Sequence, residues 1–382
     1  MNYFSSDFKL GILGGGQLGK MLLAETRKFD IHTYILDSSK EAPSQYGANQ
    51  FFIGDLMDFE AVYQFGKKVN LLTLEIENIN LDALDKLEAE GLLVFPSPKT
   101  LRLIQNKGRQ KDFYIENNIP TSNYKKYSNL ENLKSEIEIL NFPFVWKCTQ
   151  FGYDGNGVKV VRTASDLENL PNVECIAEEM IAFKNELAVI VARSASGEVK
   201  TYPVVEMEFH PEANQVEYVI CPARIDDKVA QKAKEIALQV SEAFNHVGLL
   251  AVEMFQTQED EILVNEVAPR PHNSGHHTIE ASYTSQFENH LRAILNLPLG
   301  NTASKVAGIM VNLVGEEGFS GSVIYQNIEK IMAIDGVTPH IYGKKETRPF
   351  RKMGHVTIVN EDMQQARKIA EEVKNTIRVI AK

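Results

Sequence analysis

Short apolar runs and longer helical repeats alternate along the first hundred residues. The apolar runs predict strands at residues 9–13, 32–36, 71–74 and 92–95. The repeat of apolar positions over 17–29 predicts a helix, and two further helical patterns reach about residue 118. Strands that alternate with helices in this way predict an α/β fold with a parallel, doubly wound sheet.

The chain from about residue 124 to 301 is richer in β-branched and apolar runs. These runs predict strands at 145–147, 158–162, 175–180, 187–192 and 199–205. A long helical repeat lies at 228–244, and two strands joined by a polar turn at 258–261 follow from Leu249. From about Lys305 the pattern predicts a small β-rich unit that ends in a helix at 363–377.

Length and charge narrow the classes of protein that fit this pattern. A chain of 382 residues is too long for one hydrophobic core, so we expect two or three domains. The 40 basic and 51 acidic side chains give a net charge of −11. This charge argues against unspecific binding to nucleic acids or anionic membranes, and any anionic substrate must meet local basic groups.

Cysteine spacing and hydropathy bear on the compartment. Cys148, Cys175 and Cys221 form no CxxC motif, which fits a reducing environment better than a disulfide framework or a zinc site. The first residues lack the basic and apolar segments of a signal peptide, and no apolar run approaches the roughly 18 residues of a membrane span. We expect a soluble, cytoplasmic protein that binds neither nucleic acid nor membrane.

Two carboxylates are predicted to face each other in the strand pair that starts at Leu249. If the turn is centred between Glu259 and Asp260, Glu253 lies directly opposite Glu266. Facing carboxylates destabilise a strand pair unless a cation lies between them, and Mg²⁺ prefers carboxylate oxygens. Asn265 adds a further oxygen ligand or donor. The alternative is an exposed hairpin with solvated carboxylates.

A dense polar loop follows this hairpin directly. It contains a cation, Arg270, and the hydrogen-bonding side chains of His272, Asn273 and Ser274. Such a loop after an apolar strand favours a binding site beside the supposed metal. The spacing of His272, His276 and His277 is not typical of a zinc site, so we interpret these histidines as structural.

The glycine-rich turn after the first strand admits an alternative function. Gly14, Gly16 and Gly19 match the dinucleotide-binding fingerprint, with an acid at Asp37. Such a turn lets the backbone approach a phosphate at a helix N-terminus. An NAD-dependent oxidoreductase is therefore one reading, although no candidate site for hydride transfer is present.

Three further segments carry candidate binding groups. The glycine-rich loop 152–157 lies between two strands after Lys147, and it can donate backbone N–H groups to nucleotide phosphates or be a flexible hairpin loop. Glu75 and Glu77 end a predicted central strand, where ligands bind in open α/β sheets, unless they only enter solvent. The basic segment 342–352 suits a phosphate or carboxylate, or is a solvated loop.

Six segments together carry a family resemblance that spans nearly the whole chain. They are GGGQLG at 14–19, LEIEN at 74–78, GYDGNG at 152–157, VNEVAPRPHNSGH at 264–276, SQFENHLRAI at 285–294 and YGKKETRPFRKMGH at 342–355. In this order they resemble the ATP-grasp superfamily and, within it, the N5-carboxyaminoimidazole ribonucleotide synthetases. The segments at 264–276 and 342–355 are far more specific than the glycine loop.

The resemblance implies three domains. They are a Rossmann-like (pre-ATP-grasp) N-terminal domain at 1–105, an α+β ATP-grasp domain at 106–302 and a small β-rich C-terminal domain at 303–382. A lid subdomain is expected at about 120–184. The chain is expected to be a homodimer.

The implied reaction joins ATP, 5-aminoimidazole ribonucleotide (AIR) and bicarbonate. The products are N5-carboxyaminoimidazole ribonucleotide, ADP and phosphate, formed through carboxyphosphate during purine biosynthesis. A downstream mutase is implied only as a metabolic partner. The implied cofactor is Mg²⁺, with Mn²⁺ as the alternative ion.

Site residues follow from the same resemblance. Catalysis is assigned to Asp154, which accepts the proton of the amine, and to Lys344, which orients the carbamate. The metal is assigned to Glu253 and Glu266. ATP is assigned to Lys107, Lys147, Gly152, Tyr153, Asp154, Gly155, Asn156, Gly157, Val158, Glu178, Glu179, Met180, Ile181, Glu186, His210, Asn265 and Glu266. The ribonucleotide is assigned to Gly16, Gln17, Leu18, Glu75 or Glu77, Tyr153, Arg270, His272, Asn273, Ser274, Lys344 and Arg351.

Three departures from the family pattern bear on these assignments. Lys107 stands where many relatives have arginine, which keeps the charge but loses the planar fork. Phe350 replaces a glycine that is common in the family, which is expected to reshape the phosphate loop. The alignment at 206–210 is uncertain by one residue, which leaves the ATP contact of His210 open. Another ATP-grasp ligase and an inactive nucleotide-binding regulator remain alternatives.

Overall fold

A five-stranded parallel sheet forms the N-terminal part of the chain. In the computed structural model, which describes residues 2–150, 157–210 and 215–382, the sheet has the order β3-β2-β1-β4-β5. Its strands are β1 (Lys9–Leu13), β2 (His32–Asp37), β3 (Gln50–Ile53), β4 (Leu71–Leu74) and β5 (Leu93–Val94). The winding direction reverses between β1 and β4, where open α/β sheets form their binding crevices. The predicted doubly wound sheet is therefore confirmed.

Five helices connect and follow these strands. They are α1 (Gln17–Lys28), α2 (Phe59–Gly66), α3 (Leu81–Ala89), α4 (Pro98–Ile104) and α5 (Lys107–Glu116). Helices α2 to α5 each follow an N-cap residue whose side chain accepts a hydrogen bond from a backbone N–H of the first turn. These N-cap residues are Asp58, Asn80, Ser97 and Asn106. Helix α1 begins instead at Gly16, which has no side chain to cap it.

A small antiparallel sheet follows α5. It contains β6 (Tyr124–Tyr127), β7 (Phe144–Cys148), β8 (Val158–Val161) and β9 (Cys175–Glu179) in the order β6-β9-β7-β8. Helix α6 (Leu130–Ser135) packs against it through the buried Leu133, which shares a core with Phe144 and Trp146. We call this four-stranded unit the small sheet. Its strands β8 and β9 are each one residue shorter than the sequence predicted.

A nine-stranded sheet, which we call the large sheet, contains most of the remaining strands. Its path is β15-β14-β10-β12-β13-β16-β20-β18, with β11 paired to β10. The strands up to the long hairpin are β10 (Phe183–Arg193), β11 (Val199–Thr201), β12 (Val205–Phe209), β13 (Val216–Cys221), β14 (Gly248–Thr257) and β15 (Ile262–Ala268). The helices here are α7 (Asp227–Phe244), α8 (Thr278–Ala281) and α9 (Gln286–Ile294).

The C-terminal residues extend the same sheet. Strands β16 (Ala307–Val314), β18 (Val337–Ile341) and β20 (Lys352–Asn360) belong to it, and β17 (Gly321–Gln326), β19 (Glu346–Thr347) and β21 (Arg378–Ala381) form a separate three-stranded sheet. The helices are α10 (Ile328–Met332) and α11 (Met363–Thr376). Strand β13 pairs with β16, so the large sheet continues across the predicted boundary at 302. The domain boundaries themselves stay predictions.

One predicted strand, at 199–205, is wrong. The structure has two strands there, β11 and β12, which pair with different parts of β10. Pro203 lies in the gap between them and has no N–H to donate to a strand ladder. Within the described parts of the chain, no helix is both long and apolar enough to cross a membrane.

Candidate functional site

Glu253 and Glu266 are direct cross-strand partners on β14 and β15, as the sequence predicted. The turn, however, is centred on Glu259, because the Thr257 N–H donates to the Glu261 carbonyl at 2.9 Å. A shift in the register between Glu253 and Met254 makes up the difference and leaves Asn265 as an extra residue in β15. This β-bulge places Asn265 beside the carboxylate pair, as bulges near functional sites often do.

A third carboxylate, Glu186 on β10, lies on the same face. Ala188 pairs with Glu253 in the neighbouring strand, and Glu186 is two residues away on β10. Burial, together with the negative charges of Glu253 and Glu266, raises the pKa of Glu186 to about 8. The raised pKa means that a third negative charge on this face is unfavourable without a cation, so the three acidic side chains together favour binding of one.

Two lysines approach this patch from other elements. The Lys107 ammonium at the start of α5 contacts the Glu266 carboxylate, and its charge holds the pKa of Glu266 well below the usual range. The Lys147 ammonium on β7 lies 2.7 Å from Glu178 Oε2 and donates to Asn265 Oδ1 at 3.1 Å. Lysines and carboxylates therefore alternate around Asn265, an arrangement suited to a nucleotide phosphate and its metal ion.

The glycine-rich turn is already occupied by carboxylates of the chain. Glu75 accepts the N–H groups of Gly16 at 2.7 Å and Gly19 at 2.9 Å, and Asp37 accepts the Gly15 N–H at 2.7 Å. A Cβ at Gly16 would lie 2.5 Å from Glu75 Oε1, so the turn needs glycine there. Glu75 supplies the negative group that the uncapped α1 lacks. The amides that would bind a dinucleotide are thus taken, which argues against the oxidoreductase alternative.

The polar loop after β15 joins the carboxylate pair to distant parts of the chain. His272 Nε2 lies 3.1 Å from Glu253 Oε1, and the Arg270 guanidinium lies 2.8 Å from Glu77 Oε1. The Asn273 side chain exchanges hydrogen bonds of 2.9 and 3.0 Å with Asn312 on β16. Of the predicted ribonucleotide residues, Arg270, His272 and Asn273 thus lie on one loop and contact three different partners, one of which is Glu77.

The end of β18 and the basic segment after it contact helix α1 and the loop after β2. Lys20 on α1 donates to the Ile341 carbonyl at 2.7 Å, and Lys345 lies 2.6 Å from Glu41. Lys344 donates to the Lys352 carbonyl at 2.8 Å and Arg351 to the Glu346 carbonyl at 2.7 Å. Lys344 and Arg351, both predicted to bind the ribonucleotide, thus each donate a hydrogen bond within their own segment.

Phe350, the departure in this segment, has a left-handed backbone with φ of 61°. Glycine adopts this conformation freely, whereas a bulky side chain is strained in it. Phe350 therefore stands in a backbone conformation that suits glycine. The centroid of its ring lies 6.0 Å from that of His210.

Several predicted ATP residues lie at the edge of, or outside, the described chain. Gly152, Tyr153, Asp154, Gly155 and Asn156 lie outside the described residues. Val158 pairs with Lys147 across β7 and β8, and the Gly157 carbonyl accepts the Cys148 N–H at 2.9 Å. Glu178 and Glu179 end β9, and Met180 and Ile181 lead to β10, so only Glu178 points its carboxylate at the lysines.

Sequence reasoning missed two buried residues of the network. Gln286 accepts the His272 N–H and donates to its carbonyl, both at 2.8 Å, and thereby fixes the peptide of the binding loop. Lys111 contacts Glu178 at 3.0 Å. Lys111 follows Lys107 by four residues in a predicted helix, and this spacing puts both side chains on one face. That spacing was a signal available in the sequence.

The carboxylates fit a metal ion that also binds a second ligand. No group of three or more metal-binding side chains occurs among the residues at 2–150, 157–210 and 215–382. Mg²⁺ is commonly held by one or two carboxylates with substrate phosphates and water completing the shell. Glu253 and Glu266, with the Asn265 amide oxygen beside them, match that donor set.

Three family models match consecutive parts of the chain. Residues 8–105 match the ribonucleotide synthetase preATP-grasp domain, 112–287 the ATP-grasp domain, and 308–369 the phosphoribosylaminoimidazole carboxylase C-terminal domain. They confirm the predicted fold class of a Rossmann-like, an ATP-grasp and a C-terminal domain.

Curated relatives cover most of the chain. An N5-carboxyaminoimidazole ribonucleotide synthase of Bacillus subtilis is 37% identical over 357 residues, which are 92% of this chain and 91% of the relative. A chloroplastic phosphoribosylaminoimidazole carboxylase of Vigna aconitifolia is 38% identical over 93% of this chain, but the chain spans only 64% of its length.

Solved structures agree with these relatives. The N5-carboxyaminoimidazole ribonucleotide synthetase of Thermotoga maritima is 43% identical, covers 98% of this chain and 100% of its own, and has a TM-score of 0.90. An Aspergillus clavatus synthase in complex with ADP and 5-aminoimidazole ribonucleotide is 33% identical over 97% of this chain and 98% of its own, with a TM-score of 0.87. The chain therefore belongs to the N5-carboxyaminoimidazole ribonucleotide synthetase family of ATP-grasp ligases.

Proposed function

We propose that this chain carboxylates 5-aminoimidazole ribonucleotide with bicarbonate at the expense of ATP, giving N5-carboxyaminoimidazole ribonucleotide, ADP and phosphate. The observation that carries the proposal is the contact between His272 and Glu253, which joins a predicted ribonucleotide residue to a predicted metal ligand. The Aspergillus clavatus relative, whose complex contains ADP and the ribonucleotide, supports the same pair of ligands.

The first step activates bicarbonate, which is a poor electrophile. A bicarbonate oxygen attacks the γ-phosphorus of ATP, the bond to the bridging oxygen breaks, and carboxyphosphate and ADP form. Lys107 and Lys147, which contact Glu266 and Glu178, are the proposed ammonium groups that position and neutralise the phosphates. Before ATP binds, each lysine is paired with a carboxylate, so the phosphates enter a site whose cations are already in place.

Glu253 and Glu266 are the proposed ligands of Mg²⁺, with Mn²⁺ as the alternative ion. When bound, the ion would neutralise negative charge on the phosphates of ATP. Lys107 contacts Glu266 and His272 contacts Glu253, and both contacts keep the carboxylates facing each other until the ligands arrive. The chain's own side chains thus preorganise the site.

The second step transfers carbon to the ribonucleotide. Carboxyphosphate breaks into CO₂ and phosphate, and the exocyclic amine attacks CO₂ and loses a proton. Asp154 is the proposed acceptor of this proton, and Lys344 is proposed to orient the carbamate. Arg351 is proposed to hold the ribose phosphate, with Arg270, Asn273 and Ser274 around the sugar and base. Because carboxyphosphate hydrolyses readily, the reaction requires that water be kept out.

The proposal is tested by phosphate release in the presence of ATP, Mg²⁺, the ribonucleotide and labelled bicarbonate, with each component left out in turn. Release that needs all four, with label in the product, supports the proposal. Release without the ribonucleotide contradicts it and indicates an ATP-grasp ligase with another acceptor. The homodimer implied by the family belongs to the same proposal, and light scattering on the purified protein tests it.

A further inference from the structure

Lys111 is a buried cation that lies behind the nucleotide site. Its side chain is 3% exposed, and its ammonium nitrogen lies 3.0 Å from Glu178 Oε1. It donates hydrogen bonds to the hydroxyl oxygens of Thr121 at 2.6 Å and Ser122 at 2.9 Å. A buried ammonium group is costly unless it is paired and hydrogen-bonded, so these contacts define one fixed position for Lys111.

These partners lie on the two segments that connect the small sheet to the rest of the molecule. The chain approaches the small sheet through Thr121 and Ser122, and it leaves the sheet after Glu179, at the end of β9. Thr121 donates to the Val264 carbonyl at 2.7 Å, which ties the incoming segment to β15 of the large sheet. Lys111 on α5 therefore contacts both segments at the base of the small sheet.

Glu178 connects Lys111 to Lys147, a residue of the proposed nucleotide site. Its carboxylate is 4% exposed and lies between two ammonium groups, Lys111 on one oxygen and Lys147 on the other. Lys147 in turn donates to Asn265, next to Glu266. One carboxylate between two cations leaves an excess of positive charge, which a nucleotide phosphate would balance.

We propose that Lys111 is a positioning residue: it fixes the Glu178 carboxylate and, through it, sets the place of the Lys147 ammonium in the nucleotide site. Without Lys111, Lys147 would be the one ionic partner of Glu178 among the described residues, and Glu178 would draw that ammonium away from Asn265. The inference rests on the proposed function, because it assumes that ATP binds beside Lys147.

The pKa shifts of Lys111 and Glu178 agree with this geometry. Burial lowers the pKa of Lys111 to about 8, with a contribution from the positive charge of Lys147, while Glu178 opposes the shift. Burial alone would raise the pKa of Glu178, but Lys147 and Lys111 outweigh it and the pKa is lowered. The cluster thus holds Glu178 in its charged form.

A double-mutant cycle tests the inference, with KM for ATP and kcat measured for Lys111→Met, Glu178→Gln and the double variant. Loss of one partner of a buried charged contact is expected to raise KM about tenfold and to change kcat less than about threefold. Because Lys111 acts through Glu178, the double variant is expected to match Glu178→Gln. Lys126→Met is the control. Lys126 lies on β6 and forms a surface ion pair with Asp112, which is on the same helix as Lys111.

Each outcome decides the question. A Lys111→Met protein with the wild-type KM, or a double variant more than about threefold worse than Glu178→Gln, overturns the inference. If Lys111→Met fails to fold, the comparison of Glu178→Gln with the double variant decides alone, since both of these variants lack the buried Glu178 carboxylate. A wild type that binds ATP but does not carboxylate contradicts the proposed function instead, and ATP dissociation constants then replace KM in the cycle.

Discussion

Replacing Glu253 with glutamine should change the free energy of unfolding and the activity in opposite directions. In the metal-free protein, the Glu253 carboxylate lies across from Glu266 and near Glu186. Like charges that face each other across strands cost roughly 0.2–1 kcal/mol, and the contacts with Lys107 and His272 offset part of this cost. We therefore expect Glu253→Gln to stabilise the metal-free protein by about 0.5 kcal/mol, which raises Tm by roughly 0.5–1 °C for a chain of 382 residues.

The same substitution removes one of the two proposed metal ligands. Loss of a group that stabilises charge in a transition state typically lowers kcat by about 10²–10³-fold, or about 3–4 kcal/mol. We expect a decrease of this size in turnover and a higher Mg²⁺ concentration at half-maximal rate. The stabilisation of the wild type by Mg²⁺ and a non-hydrolysable ATP analogue should shrink in the variant, since ligand binding to the native state shifts Tm.

The assay is thermal unfolding in EDTA and in Mg²⁺ with the analogue, combined with turnover against Mg²⁺ concentration. Glu259→Gln is the matched control, because Glu259 is exposed at the turn of the same hairpin. A Glu253→Gln protein that is less stable in EDTA and keeps the wild-type Mg²⁺ dependence would refute the reasoning, because Glu253 would then be a structural carboxylate.

Three further predictions concern other parts of the molecule. Phe350→Gly should be more stable in urea unfolding than Phe350→Ala by about 1 kcal/mol, because alanine keeps the left-handed strain at φ of 61°; equal stabilities would contradict this. Glu75→Gln should lower stability by about 1–3 kcal/mol by calorimetry, because an amide offers one oxygen to the two N–H groups of the glycine turn; an unchanged Tm would contradict this. Burial lowers the pKa of His277 and of His290 to about 4, so the unfolded state binds more protons below pH 6.5, and stability should fall as pH falls from 6.5 to 4; acid titration of His290→Asn should show a smaller loss than the wild type.

The local parts of the fold could be predicted because their signals are local. Strands β1, β2, β4 and β5 and helix α1 follow from short apolar runs and a helical repeat, and their bounds differ from the prediction by at most one residue at either end. The predicted pairing of Glu253 with Glu266 is also correct, but the prediction placed the turn wrongly and did not include the bulge. The turn is shifted by half a residue, and the bulge at Asn265 corrects the register. An alternation pattern does not reveal a bulge that restores the expected pairing.

Contacts between distant residues could not be predicted from such patterns. Glu75 was expected at the end of a central strand, but nothing in its neighbourhood indicated that it would accept the amides of a turn 56 to 59 residues away. The pairing of β13 with β16 likewise depends on how the whole chain packs. Most of the site assignments follow from the family resemblance, and the structure shows which of those residues contact one another.

The most direct test of the central claim follows the oxygen atoms of bicarbonate. If bicarbonate attacks the γ-phosphorus and carboxyphosphate then releases CO₂, one bicarbonate oxygen stays on the phosphate. The reaction with ¹⁸O-labelled bicarbonate, ATP and the ribonucleotide should therefore give phosphate that carries a single ¹⁸O atom, as read by mass spectrometry. Phosphate without ¹⁸O, formed together with the carboxylated product, would contradict the proposed activation of bicarbonate at this site.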